Sequence, residues 1–160
     1  MTAYNGSMPA RSYDVRILPV SRVPTAVISR RVSRSELPRV VPECCGLVWT
    51  ALRAQGLKGG RNVALYRERG AVVEAGVELE TPFAPEGEIV LSELPAGRAA
   101  TVVHYGPYQE LGAAHEAVQQ WCKTNGHAFG SVCWEIYGHW QDAWNSDPSR
   151  IRTDVYYELA

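Results

Sequence analysis

The residues best placed for chemistry lie in Ser131-Val132-Cys133-Trp134-Glu135-Ile136-Tyr137, where a carboxylate sits among apolar and aromatic neighbours. So many β-branched and aromatic side chains make the run a strand. An ionised carboxylate buried there is costly unless a positive or hydrogen-bonding group compensates. Strand alternation places Cys133, Glu135 and Tyr137 on one face and Val132, Trp134 and Ile136 on the other. Glu135 and Tyr137 on one face would line a mostly apolar pocket suited to a delocalised organic cation. The ring faces attract positive charge and the carboxylate offsets it without a rigid hydrogen-bond pattern. Without a fixed partner, Glu135 should have a raised pKa that a bound cation reverses. The ordinary alternative is a pair between Glu135 and a neighbouring arginine on a solvated strand.

Other aromatic residues qualify as lining. Tyr108 stands just inside a helix start, where it either projects into the cleft mouth or closes the helix. Tyr66 matches Tyr137 at an offset of 71 residues and lines the opposite wall or belongs to the core. Trp140 and Trp144 lie in a long loop, which lids the pocket or meets a partner. Trp49 and Trp121 fall at helical spacing, the pattern of core residues. His104, His115, His127 and His139 lack ligand-like spacing, and Cys44, Cys45, Cys122 and Cys133 form neither a C-x-x-C pair nor a zinc pattern, so no metal or other cofactor is expected and the thiols should be reduced.

Around these residues the chain must supply strands and helices. Tyr13 to Val20 and Thr25 to Ser29 with Val32 read as strands. Ser35-Glu36-Leu37-Pro38 resembles a helix start, but Pro42 moves the expected beginning of the regular helix to its own position, with the helix ending at Gly56. Val63 to Arg67 and Val72 to Glu80 follow as strands. The second half repeats the plan with strands over Glu88 to Glu93 and Ala99 to Tyr105. A helix opened by Gly106-Pro107 and closed by Asn125-Gly126 comes next, then strands over Ser131 to Tyr137 and Ile151 to Leu159. Val23-Pro24 matches Leu94-Pro95 at 71 residues and Trp49 matches Trp121 at 72. Such constant offsets predict a duplicated ββαββ unit, with repeats over about 13–82 and 86–160 after a loose tail of residues 1–12. Joined sheet to sheet, two such units leave a cleft between their helices.

The 160 residues, 46% hydrophobic and 21% charged, fit one globular domain of ordinary size. The apolar runs are too short for a membrane span and the N-terminus lacks a signal core, so a cytoplasmic protein is expected. A net charge of −1 gives no reason to expect nucleic acid as a partner. Charge is unevenly divided: residues 1–82 carry 12 Lys/Arg against 7 Asp/Glu, and residues 83–160 carry 4 against 10. If the pocket takes its potential from the acidic half, cations are its favoured guests.

The duplicated plan, the strand-to-helix junction His104-Tyr105-Gly106-Pro107-Tyr108-Gln109-Glu110-Leu111, the Trp134-Glu135-Ile136-Tyr137 strand and Asp147-Pro148 before the last strand together resemble the GyrI-like small-molecule-binding domain. This is the effector-binding domain of multidrug-responsive bacterial transcription activators, also found free-standing. The resemblance implies an α+β fold: one curved antiparallel eight-stranded sheet, two helices on one face and a central ligand cleft. It also implies a buried glutamate that receives lipophilic cationic or aromatic small molecules, a role falling by position to Glu135, with Tyr137 as its aromatic companion. The chain has no room for an appended helix-turn-helix domain, so a free-standing version is expected, as a monomer or weak homodimer.

Two functions follow, both using Glu135 and Tyr137. One is multidrug binding, for sequestration or sensing. The other is hydrolysis of reactive cyclopropane-bearing natural products, since some GyrI-like proteins do this, with the glutamate as general base and the tyrosine polarising the electrophile. The lack of a Ser-His-Asp set, a phosphate loop or a Cys-His pair favours binding. A gyrase-inhibitor type of protein binding follows from the family name alone and ranks last.

Overall fold

Alternation of period two and period 3.6 sorts the chain into strands and helices in the order foreseen. The computed structural model describes residues 12–160. Apart from Ser12, the tail assigned to residues 1–12 lies outside them. The first repeat contributes β1 (Arg16–Val20), β2 (Val23–Arg31), α1 (Leu37–Ala54), β3 (Gly59–Arg67) and β4 (Val72–Leu79). The second contributes β5 (Val90–Leu94), β6 (Gly97–Tyr105), α2 (Leu111–Thr124), β7 (Phe129–Tyr137) and β8 (Arg152–Leu159). One short helix, α3 (Ala143–Ser146), lies in the loop after β7, a stretch read from the sequence as an aromatic loop.

All eight strands form one antiparallel sheet in the order β1-β6-β8-β7-β3-β4-β2-β5. The repeats meet at the centre, where β3 pairs with β7 and Ala64 lies opposite Glu135. They also exchange edge strands: β1 pairs with β6 of the second repeat, and β5 pairs with β2 of the first. Only two residues link β1 to β2, and only two link β5 to β6, although each link joins opposite ends of the strand order. Two linking residues reach only about 11 Å, so the sheet must coil until its ends approach. Arg22, in the first link, pairs with Glu93 of β5 at 2.8 Å.

Both long helices cover the same face. Under α1, the buried Val41, Cys44, Val48 and Leu52 pack on Ile28, Val73, Ala75 and Val77. Under α2, Ala114, Val118 and Cys122 pack on Ala100, Val102 and Val155. Tyr137 packs against both clusters, which joins them across the middle of the sheet. The opposite face is buried where the coiled ends meet, as Leu94 and Ala99 pack on Val63, Leu65, Trp134 and Ile136. Trp49 and Trp121 take equivalent half-buried places, each against the core of its own repeat. All four cysteines are free thiols.

The start of α1 differs from expectation. The helix begins at Leu37, five residues before Pro42. Pro38 falls in the first turn, where its missing N–H is harmless. Pro42 forfeits only one intrahelical bond, to the Pro38 carbonyl, and its ring is exposed. The turn before the helix compensates: the Ser33 amide donates to the Glu36 carboxylate at 2.8 Å, holding Glu36 below the usual carboxylate range.

Candidate functional site

Between α1 and α2 the sheet floors a cleft of about 1890 Å³. Alternation aims Asn62 and Tyr66 of β3, and Cys133, Glu135 and Tyr137 of β7, at the helix side, where all five line it. Ala64, opposite Glu135, is too small to fill the space above the seam, and the Glu135 carboxylate occupies it together with the Tyr66 hydroxyl.

Glu135 is 4% exposed, and its partners are fixed. The Tyr66 hydroxyl donates to Oε1 at 2.8 Å and the Tyr137 hydroxyl to the same oxygen at 2.5 Å. Oε2 lies 2.6 Å from His115 Nε2, which reaches down from α2. The other imidazole nitrogen, Nδ1, is 2.7 Å from the Tyr157 hydroxyl, whose oxygen accepts from Gln119 Nε2 at 2.9 Å. A six-residue network thus ties α2 to β3, β7 and β8 through one carboxylate.

This corrects two expectations: Glu135 has a fixed partner, and that partner is a histidine rather than an arginine. It also reverses the expected shift. Burial pushes the carboxyl up and is the largest single influence, but His115, Tyr137 and Tyr66 together outweigh it and hold Glu135 below its ordinary value. Its charge is felt nearby. Burial first and then the Glu135 carboxylate push the Tyr66 and Tyr137 phenols well above their usual range, and the same two causes push the Cys133 thiol up to about 12. A carboxyl held low in the folded state contributes stability that is complete above its unfolded value, about 4.3. That stability is lost as pH falls through the lower folded value. In urea titrations from pH 5 downward, wild type is therefore expected to lose stability faster than Glu135→Gln.

The remaining candidates are also placed. Tyr108 is 42% exposed and sets its ring edge-on to Tyr137, centroids 5.7 Å apart, at the cleft wall. Trp140 lines the cleft, 52% exposed, with its Nε1 donating to Asn145. Trp144 is buried and packs edge-on against Trp140, so it anchors the loop from within. Trp49 also borders the cleft while donating to Asn62 at 2.6 Å. The wall is not acidic: exposed Arg34, Arg69 and Lys123 border the cleft with Glu116, so its potential does not follow the acidic half of the chain. Any preference for cations must come from the floor. Among the described residues no group of three His, Cys, Asp or Glu is placed to hold a metal, and no helix is long and apolar enough to cross a membrane.

His115 is the residue that sequence reading missed. It stands four residues after Leu111 and three before Val118, on the apolar face of α2, and a polar residue there needs a buried partner.

Residues 13–160 match the profile of the GyrI-like small molecule binding domain. The chain belongs to this family. Among solved structures, the GyrI-like fold seen here is similar to the EcmrR C-terminal domain, with a TM-score of 0.76 at 24% identity over 92% of this chain and 98% of that one. A hydrolase from Listeria innocua superposes with a TM-score of 0.60 at 12% identity, over 91% of each chain. The protein SAV2435, solved bound to tetraphenylphosphonium, gives 0.57 at 9% identity over 94% of each chain. At these identities the likeness is one of fold. No curated protein sequence matches the chain.

Proposed function

We propose that this GyrI-like domain binds lipophilic small molecules carrying an aromatic body and a positive charge, for sequestration or sensing, with Glu135 as the charge-recognising group. The observation that carries this reading is a charged carboxylate buried at the floor of a large cleft whose walls present aromatic rings. Tyr66, Tyr108, Tyr137 and Trp140 offer ring surfaces to a flat or delocalised ligand, and a cleft of this size accepts bulky guests with loose selectivity. The similar fold of SAV2435, solved with the lipophilic cation tetraphenylphosphonium, supports the ligand class.

A screen of lipophilic cationic dyes by fluorescence tests the proposal. Glu135→Gln is expected to weaken a cationic dye by about 1–3 kcal/mol, the range for losing a partly desolvated charge-assisted contact. A neutral analogue of the same shape should barely change, and Tyr137→Phe should cost less than the loss of the charge. Equal dye affinity in wild type and Glu135→Gln would refute the role of the carboxylate.

Hydrolysis of cyclopropane-bearing electrophiles is the second reading, favoured by the Listeria innocua hydrolase of similar fold and by a carboxylate and tyrosine in contact at 2.5 Å. Glu135 is poorly suited to it as a free base, because three donors occupy its oxygens and hold its pKa down. Product formation from such a substrate, abolished in both Glu135→Gln and Tyr137→Phe, would establish catalysis.

A further inference from the structure

The cleft already contains a candidate cation of its own. His115 meets Glu135 at 2.6 Å, with side chains 16% and 6% exposed. A guest cation drawn to Glu135 must therefore share the carboxylate with an imidazolium or find the imidazole neutral. Histidine is the side chain whose ordinary titration falls between about pH 5 and 8.

The surrounding hydrogen bonds accommodate either state without moving the ring. With His115 protonated, Nε2 donates to Glu135 and Nδ1 donates to the Tyr157 oxygen, which also accepts from Gln119. The Tyr157 hydroxyl proton is then free to turn away from the imidazole, towards the Cys133 thiol that lies beside it. With His115 neutral, Nε2 still donates to Glu135, and the Tyr157 hydroxyl turns to donate to Nδ1. Only one hydroxyl rotates, and no nitrogen of the ring loses its partner. A buried pair without such a rotor would strand a donor or an acceptor on changing charge.

We infer that His115 is the specificity-determining counter-cation of the cleft, giving up its proton to solvent when a monocation binds at Glu135. This rests on the reading of the cleft as a cation site. Charge balances in the exchange: a bound cation plus an ionised Glu135 and a neutral His115 replace the His115–Glu135 ion pair, and one proton passes to the buffer. The net charge of the floor is zero before and after. The site thereby holds its carboxylate neutralised when empty, and a neutral guest, which brings no charge to replace the proton, gains nothing from the exchange.

The groups around His115 are few. Glu135, Tyr137 and Cys133 come from β7, Tyr66 from β3 with its ring edge-on at 6.4 Å, and Tyr157 from β8 with its ring at 5.5 Å. Glu116 and Gln119 lie on α2 itself. Across the cleft α1 offers Cys45 and Trp49, Tyr108 stands at the wall, and Arg34, Arg69, Lys123, His127 and His139 complete the charged and titratable lining. Burial first of all raises Tyr66, Tyr137, Tyr157 and Cys133, which stay protonated throughout the range.

Tetraphenylphosphonium, whose charge does not titrate, is the probe. Calorimetric titrations of wild type between pH 5 and 8, in buffers of different ionisation enthalpy, should show up to one proton released per cation bound. The apparent Kd should rise by up to about tenfold for each pH unit of acidification towards pH 5 and level off towards pH 8. His115→Gln retains a donor for Glu135 but cannot titrate, and should show neither proton release nor the pH slope. Wild-type binding with a heat independent of buffer would overturn the inference while leaving the cation site standing. So would undiminished proton release by His115→Gln, which would assign the proton to another lining group, His127, His139, Glu116 or Glu135. Failure of wild type to bind tetraphenylphosphonium at any pH would overturn both the inference and the cation reading of the cleft.

Discussion

Cutting His115 back to alanine is expected to cost the domain about 3–5 kcal/mol at neutral pH, the range for breaking a buried pair by removing one partner. The loss comes less from the contact itself than from what remains. Glu135 would keep its charge at a site only 4% exposed, with two phenol hydroxyls on one oxygen and nothing on the other. In that setting the influence of burial, already the largest single one on this carboxyl, would prevail and raise its pKa. The cost should therefore shrink as the solution is acidified and the carboxyl takes up a proton. Urea unfolding at pH 7 and pH 4 checks this: the gap between wild type and His115→Ala should be wide at the first and narrower at the second. A gap at pH 7 of about 0–1 kcal/mol, the value of an exposed pair, would show that the network is solvated in solution. His115→Gln, which keeps a donor, should fall between the two.

Gly76→Ala is expected to be at least as damaging, through sterics alone. Gly76 sits in β4 between Val27 of β2 and Val63 of β3. A β-carbon there would run into the Ala26 carbonyl oxygen and lie 2.8 Å from the Val27 Cα. Both are backbone atoms of a neighbouring strand, so no side-chain rotation relieves the clash. Overpacking against side chains costs about 1–3 kcal/mol, and forcing two paired strands apart should exceed that range and consume much of the roughly 5–15 kcal/mol that holds a domain folded. Thermal unfolding by circular dichroism should show a large fall in Tm or no cooperative transition. Gly46→Ala provides the control, because a β-carbon at that helix position has nothing within 4 Å, and it should stabilise α1 slightly.

Much of the fold was legible because period-two and period-3.6 patterns report which side of an element is buried. The assignment of Cys133, Glu135 and Tyr137 to one face of β7 follows from alternation alone, and the 71-residue offset made Tyr66 the repeat counterpart of Tyr137, which the pairing of β3 with β7 places on the same face. Three features were not legible, each for a physical reason. Pro42 argued for a later helix start because propensity weighs one lost hydrogen bond but not the burial of Val40 and Val41 just before it. Exchange of the edge strands β1 and β5 depends on which strand lies beside which, and each edge strand is equally apolar whichever repeat it joins. The pairing of His115 with Glu135 joins residues 20 apart on a helix and a strand, where spacing says nothing about contact. Its trace was a histidine on an apolar helix face, and that signal was available.

The edge exchange bears on how the cleft can adapt. A groove between two repeats invites the picture of jaws that swing about a central hinge and clamp a guest. Here the repeats are stitched three times, by β3 to β7 in the middle and by each donated strand at an end. Swinging one repeat would shear hydrogen-bonded ladders at both ends of the sheet at once. The floor therefore behaves as a fixed plate, and guests of different size must be met by what stands upon it: the rotamers of Tyr108 and Trp140, the tilt of the two helices, and the loop carrying α3. Mechanically the domain is a rigid bowl with a compliant rim, so its tolerance of varied ligands should appear in the motions of side chains rather than in any change of overall shape.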